Sequence, residues 1–72
     1  MSTEHKTLVP VAMITEIPPN YPIVIPAGTA FRFEWEGKTA EGTHIQVTQD
    51  GAGIYGYISD DQIAILGDDW YE

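Results

Sequence analysis

The segment Ala30–Glu36 constrains the fold of this chain more than any other feature of the sequence. Aromatic side chains occupy every second position in it, and charged side chains lie between them. A period of two is typical of a β-strand that buries one face, and it does not fit a helix. The aromatic face comprises Phe31, Phe33 and Trp35, and we predict that it points into the core.

The residues before this strand predict one further strand and a long loop. Thr7–Ile14 is rich in apolar residues and predicts a first strand, at a sheet edge or bulged at Pro10, because proline cannot donate a ladder hydrogen bond. Glu16–Pro26 contains four prolines, which remove backbone donors and restrain the residues before them. We therefore predict an extended loop there, followed by a turn at Pro26–Thr29.

The residues after the aromatic strand predict a hairpin and a short closing segment. His44–Gln49 alternates again, and Asp50-Gly51 is a typical hairpin turn before a strand over Ile54–Ile58. Ser59–Gln62 predicts one helical turn capped by Ser59 or Asp60, and Ile63–Leu66 predicts a last short strand. The predicted core comprises Phe31, Phe33, Ile45, Val47, Ile54, Ile58, Ile63 and Ile65.

These elements together predict an all-β fold, a small five-stranded SH3-like barrel. The segment Gly56–Ile63, GYISDDQI, resembles the strand, short 3₁₀ turn and final strand that close SH3 and bacterial SH3-type domains. Ile25–Thr29, IPAGT, is similar to a strand-opening turn of bacterial SH3-type domains. The paired tryptophans of peptide-binding SH3 domains are not evident, so the resemblance over about residues 25–66 does not imply proline-peptide binding.

The chain is short enough for one domain. We predict a disordered tail over residues 1–6, the barrel over residues 7–66, and an acidic, aromatic tail over residues 67–72. The N-terminal segment does not resemble a signal peptide, and the sequence contains no cysteine. Both features are consistent with a cytoplasmic protein.

The net charge of −8 is large for 72 residues, since eleven carboxylates face three basic side chains. This charge opposes direct binding to nucleic acids and docking on anionic membranes, because both carry negative charge. It favours a partner with a basic surface, and it also keeps a small protein soluble.

No residue pattern in the sequence indicates an enzyme, a metal site or a cofactor. His5 and His44 are the two histidines, and we expect both to be exposed polar residues. No serine, threonine or lysine has a recognisable activating partner, and no phosphate-binding glycine loop is present. The acidic pairs Asp60-Asp61 and Asp68-Asp69 could chelate a hard cation, but their spacing is not that of a calcium loop.

The sequence therefore favours a non-enzymatic, acidic protein-binding module. Its most concrete version is an inhibitor that masks a basic, nucleic-acid-binding surface by mimicking nucleic acid, as phage-encoded antagonists of host enzymes or defence systems do. The alternative is a structural module that homo-oligomerises or decorates a larger complex, with a small-ligand site at a subunit interface. The predicted partner-binding residues are Glu34, Glu36, Glu41, Tyr55, Tyr57, Asp60, Asp61, Asp68, Asp69 and Trp70.

Overall fold

The structure is a computed structural model that describes residues 3–16, 19–49 and 51–72. Five residues of the predicted segments lie outside these ranges. They are Met1 and Ser2 in the predicted N-terminal tail, Ile17 and Pro18 in the predicted loop, and Asp50 in the predicted hairpin turn.

Six antiparallel strands form one sheet in the described part of the chain, and a short helix follows them. The order of the strands in the sheet is β1-β4-β5-β6-β2-β3. The elements are β1 (His5–Lys6), β2 (Val11–Thr15), β3 (Pro22–Ile25), β4 (Ala30–Thr39), β5 (Gly42–Gln49), β6 (Ala52–Ile58) and α1 (Asp60–Leu66). The all-β prediction is confirmed, but the prediction of a closed five-stranded barrel is wrong, because β1 and β3 remain the two ends of an open sheet.

Two strands formed in segments where the sequence predicted no strand. His5–Lys6, in the predicted tail, pairs with Phe31 and Ala30 of β4. Pro22–Ile25, in the predicted loop, pairs with β2 as the outer strand of the sheet. Proline is tolerated on an edge strand, because the donor that it lacks faces away from the ladder or into solvent.

The first predicted strand is shifted along the chain. β2 begins at Val11, after Pro10, and Thr7 forms an isolated bridge to Tyr71. The Thr7 hydroxyl donates to the carbonyl of Pro26 (2.9 Å) and accepts from the amide of Thr29 (3.1 Å). Thr7 is 1% exposed, so these bonds satisfy a buried hydroxyl and hold the predicted turn at Pro26–Thr29.

The β5–β6 hairpin agrees with its prediction. Gln49 pairs with Ala52, so two residues connect the strands, and Gly51 has φ of 80°. Glycine adopts this left-handed conformation without the steric penalty of a Cβ atom. Gly56, farther along β6, lies against β2, where an added Cβ would lie 2.5 Å from the carbonyl oxygen of Ile14 and would clash with Met13.

The core lies on one face of the sheet and contains half of the predicted residues. Its buried members are Val11, Met13, Ile25, Phe31, Ile45, Val47, Ile58 and Trp70. Phe33, Ile54 and Ile63 are partly buried and pack against this core. Ile65 is 79% exposed, so the prediction that it is buried is wrong.

The predicted last strand, Ile63–Leu66, is the second half of helix α1. The Ser59 side chain caps the helix by accepting from the amide of Gln62 (3.2 Å), and Asp60 and Asp61 occupy the first turn, where carboxylates are favourable. Ile63 and Leu66, three positions apart, share the half-buried side of the helix. The capping signal therefore outweighs the strand propensity of the isoleucines. At seven residues, α1 is too short to cross a membrane, and no longer apolar helix occurs in the described ranges.

The C-terminal segment is docked rather than free. The amide of Leu8 donates to the carbonyl of Trp70 (2.8 Å), and the amide of Glu72 donates to the carbonyl of Lys6 (3.0 Å). The Trp70 indole is 4% exposed and stacks on Phe31, with ring centroids 5.1 Å apart. These contacts connect the end of the chain to β1 and to the core.

Candidate functional site

Strand β4 carries a large bulge opposite His44. Phe33 pairs with Ile45 and Lys38 pairs with Thr43, so four residues of β4 lie opposite one residue of β5. The bulge comprises Glu34, Trp35, Glu36 and Gly37. Because the extra residues break the alternation of the strand, Trp35 is 92% exposed, and the prediction that it faces the core is wrong.

A buried histidine lies under this bulge. His44 is 8% exposed, in contrast to the prediction that it is an exposed polar residue. Its Nδ1 atom makes a short hydrogen bond with the carboxylate of Glu36, and its ring stacks on Tyr57 with centroids 4.6 Å apart. The Tyr57 hydroxyl donates to Glu16 (3.3 Å). We call His44, Glu16, Glu36 and Tyr57 the His44 cluster.

The ring of His44 lies between two carboxylates. Its Nδ1 atom is bonded to Glu36, and its Nε2 atom lies 3.6 Å from a carboxylate oxygen of Glu16. This distance is too long for a hydrogen bond, so the buried Nε2 has no partner within normal distance.

The cluster changes the acidity of two of its members. The hydrogen bond with His44 lowers the pKa of Glu36 below its ordinary value. Desolvation raises the pKa of Tyr57, and the charge of Glu16, the hydrogen bond to Glu16, and the charges of Glu41 and Glu36 raise it further. The charges of three carboxylates, Glu16, Glu41 and Glu36, therefore act on one phenol.

An open depression of about 190 Å³ adjoins the cluster, where β5 begins and β6 ends. Its lining residues are Ala40, Glu41, Gly42, Ser59, Asp60 and Asp61. Nζ of Lys38 lies 3.6 Å from Asp60 at its border, and both side chains are well exposed. This acidic depression and the His44 cluster form one negatively charged end of the sheet.

The structure brings together five of the predicted partner-binding residues at this end. They are Glu36, Glu41, Tyr57, Asp60 and Asp61. Tyr55 lies beside them on β6, 40% exposed, with its ring centroid 6.0 Å from that of His44. Glu34 is half-buried in the bulge.

The remaining predicted residues lie in the C-terminal segment. Asp68 and Asp69 are exposed, and neither of them lines the acidic depression. Trp70 is packed against Phe31, so its ring is not an exposed anchor for a partner.

Three residues of this region were missed by the sequence reasoning. Glu16 was treated as part of a loop, but its amide donates to the carbonyl of Tyr55 (3.0 Å), which places its carboxylate over β6. Strand alternation alone predicts an exposed His44 and a buried Trp35, and the structure shows the reverse. Gly37, with φ of 62°, is a local sign of the bulge that displaces Trp35, because glycine is favoured at positive φ.

No group of three or more histidine, aspartate or glutamate side chains in the described ranges is arranged to hold a metal ion. The chain matches no known protein-family model, no curated protein and no solved structure. What the site can do therefore follows from its own geometry and charge.

Proposed function

We propose that this protein is a non-enzymatic binding module that docks its acidic end on a basic surface of another protein. The observation that carries this proposal is that Glu16 and Glu36 contact His44, while Glu41, Asp60 and Asp61 line the adjoining depression. Their combined field attracts a cationic surface and speeds its encounter.

The more specific form of the proposal is an inhibitor of a nucleic-acid-binding protein. Carboxylates held on the sheet would occupy the partner's nucleic-acid-binding groove in place of phosphates, and the exposed edge of Tyr55 would add an aromatic contact. Small size and strong negative charge are consistent with the phage-encoded antagonists that work in this way. A relationship to bacterial SH3-type domains stays a prediction from the GYISDDQI and IPAGT segments, although the 3₁₀ turn and last strand that it implies are replaced by helix α1.

The test compares two acidic pairs of equal charge. Asp60→Asn/Asp61→Asn changes acids on a capped helix beside the depression, whereas Asp68→Asn/Asp69→Asn changes exposed acids outside it. Immobilised wild-type protein and both variants are incubated with host lysate, and captured proteins are identified by mass spectrometry. We expect capture of a basic partner that the Asp60/Asp61 variant weakens more, because fixed charges lose less entropy on binding.

Salt and folding controls complete this test. Capture should fall as ionic strength rises, because the Debye length shortens to about 8 Å at 0.15 M. Thermal melts are needed because Asp60 and Asp61 stabilise the helix by interaction with its dipole, by about 0.3–1 kcal/mol each. Equal capture by both folded variants, or capture that salt does not weaken, would contradict the proposal.

A second candidate function, homo-oligomeric assembly, is favoured by the outer face of β2 and β3. Ile14 and Val24 are 38% and 68% exposed there, on the face opposite the core. Ala12 and Pro22 extend this apolar surface, which includes a small depression beside Tyr57. The mass in solution distinguishes the two functions: a monomer supports the inhibitor, and a closed ring, with or without a ligand at its subunit interface, supports assembly.

A further inference from the structure

Trp35 is the most exposed large apolar side chain of the described residues. Its indole is 92% accessible, whereas Ile65, the next in this ranking, is 79% accessible. Exposing an indole forgoes the hydrophobic stabilisation that burial of about 150–250 Å² of ring surface would give. The second tryptophan of the chain, Trp70, is 4% exposed, so this fold buries one of its two indoles and exposes the other.

The bulge that presents Trp35 is fixed at both ends and along its length. Phe33 and Lys38 hold its two ends in the β4–β5 ladder. Glu36, the residue after Trp35, is bonded to the buried ring of His44. An anchor presented by fixed backbone loses little conformational entropy when a partner binds, which favours a binding role for the exposed ring.

The chemistry around the indole selects a cation. Glu34 precedes Trp35 in the chain, Glu36, whose carboxylate is bonded to His44, follows it, and the protein carries a net charge of −8. Tryptophan has the best aromatic face for cation–π contact, and arginine is the cation most often found there. The planar guanidinium also pairs with carboxylates through two parallel hydrogen bonds, which lysine cannot do.

We propose that the Glu34-Trp35-Glu36 bulge binds an arginine-containing segment of the partner, with a guanidinium stacked on the exposed indole. This inference rests on the proposed function, and it specifies which cation the acidic protein recognises. A second copy of the chain is disfavoured as the occupant, since two molecules of charge −8 repel each other. Nucleic acids and anionic membranes are disfavoured for the same reason.

The test titrates the full chain with hexaarginine amide and, separately, with hexalysine amide, by calorimetry at low and physiological salt. We expect hexaarginine to bind more tightly than hexalysine. Trp35→Ala should weaken the binding of hexaarginine about two- to fivefold, the contribution of an exposed cation–π contact. In NMR spectra, the indole N–H resonance of Trp35 should shift on addition of hexaarginine, while that of Trp70 should not. Trp35→Ala should reduce the preference for arginine, and the matched control Ile65→Ala should keep it.

The outcomes separate this inference from the proposed function. Equal affinity of wild-type protein for the two peptides, or an affinity for hexaarginine that is unchanged in Trp35→Ala, would overturn the proposed binding of arginine by the bulge. If binding in that case still weakens with salt, the proposed docking on a basic surface stands. If neither peptide binds at low salt, both the bulge inference and the proposed function fail.

Discussion

Replacing Trp70 by alanine tests whether the C-terminal segment is part of the folded core. The indole is 4% exposed and contacts Phe31 and Tyr71 at centroid distances of 5.1 and 4.6 Å. Burial of about 200 Å² of ring surface at about 25 cal/mol per Å² gives an upper value of about 5 kcal/mol. Measured losses for such truncations are about 3–5 kcal/mol. Because the value from buried area is an upper bound, we expect a loss at the lower end of this range, about 3 kcal/mol.

That loss is large for this chain. A domain of 72 residues has a free energy of unfolding of roughly 4–11 kcal/mol, at 0.05–0.15 kcal/mol per residue. Urea unfolding followed by far-ultraviolet circular dichroism measures the change. With a denaturant slope of about 1 kcal/mol/M, the midpoint of Trp70→Ala should fall by about 3 M or the folded baseline should disappear.

The second tryptophan supplies the matched control. Trp35→Ala removes the same side chain from a site that is 92% exposed, so its free energy of unfolding should stay within about 0.5 kcal/mol of wild type. Equal midpoints for the two variants would refute the docking of the C-terminal segment.

Two further predictions concern the sheet and the His44 cluster. Gly56→Ala should destabilise the protein by about 1–3 kcal/mol, because the new methyl group would lie 2.5 Å from the backbone carbonyl oxygen of Ile14, and β2 must shift to admit it. A thermal melt equal to wild type would contradict this packing. The pKa of Glu36 is lowered in the folded state, so its contribution to stability is present above the unfolded value of about 4.3 and is lost as pH falls through the folded value. Glu36→Gln and His44→Gln should therefore each reduce the loss of stability that occurs as the pH is lowered. Urea midpoints measured between pH 6 and the acid transition test this. The same loss of stability in the variants as in wild type would show that the Glu36–His44 bond does not stabilise the fold.

The functional surface was only partly predictable from the sequence. The charge of −8 is a sum over residues and needs no structure, so a basic partner could be inferred from composition. Whether the carboxylates lie close together depends on which chain segments are adjacent in the fold. Asp60 and Glu41 are distant in sequence but share one depression, whereas Asp68 and Asp69 lie elsewhere.

The sequence by itself determined the strands whose signals are local. Alternation predicted that β4 and β5 are strands, and the turn at Asp50-Gly51 predicted the antiparallel pairing of β5 with β6. Both signals are local, because side-chain period and turn chemistry act between near neighbours. The capping residue Ser59 was also predictable, because its side chain bonds an amide three residues away.

Tertiary structure alone decided the features that depend on distant partners. β1 and β3 are short segments with weak strand signals, and they are strands because β4 and β2 supply their hydrogen bonds. Trp35 and Trp70 have the same side chain. The local pattern predicted a buried Trp35 and an exposed Trp70, and the structure shows the reverse. The bulge opposite His44 turns Trp35 outward, and the docking of the chain end beside Leu8 buries Trp70. Burial is a property of the completed packing, so residue type and local alternation do not determine it.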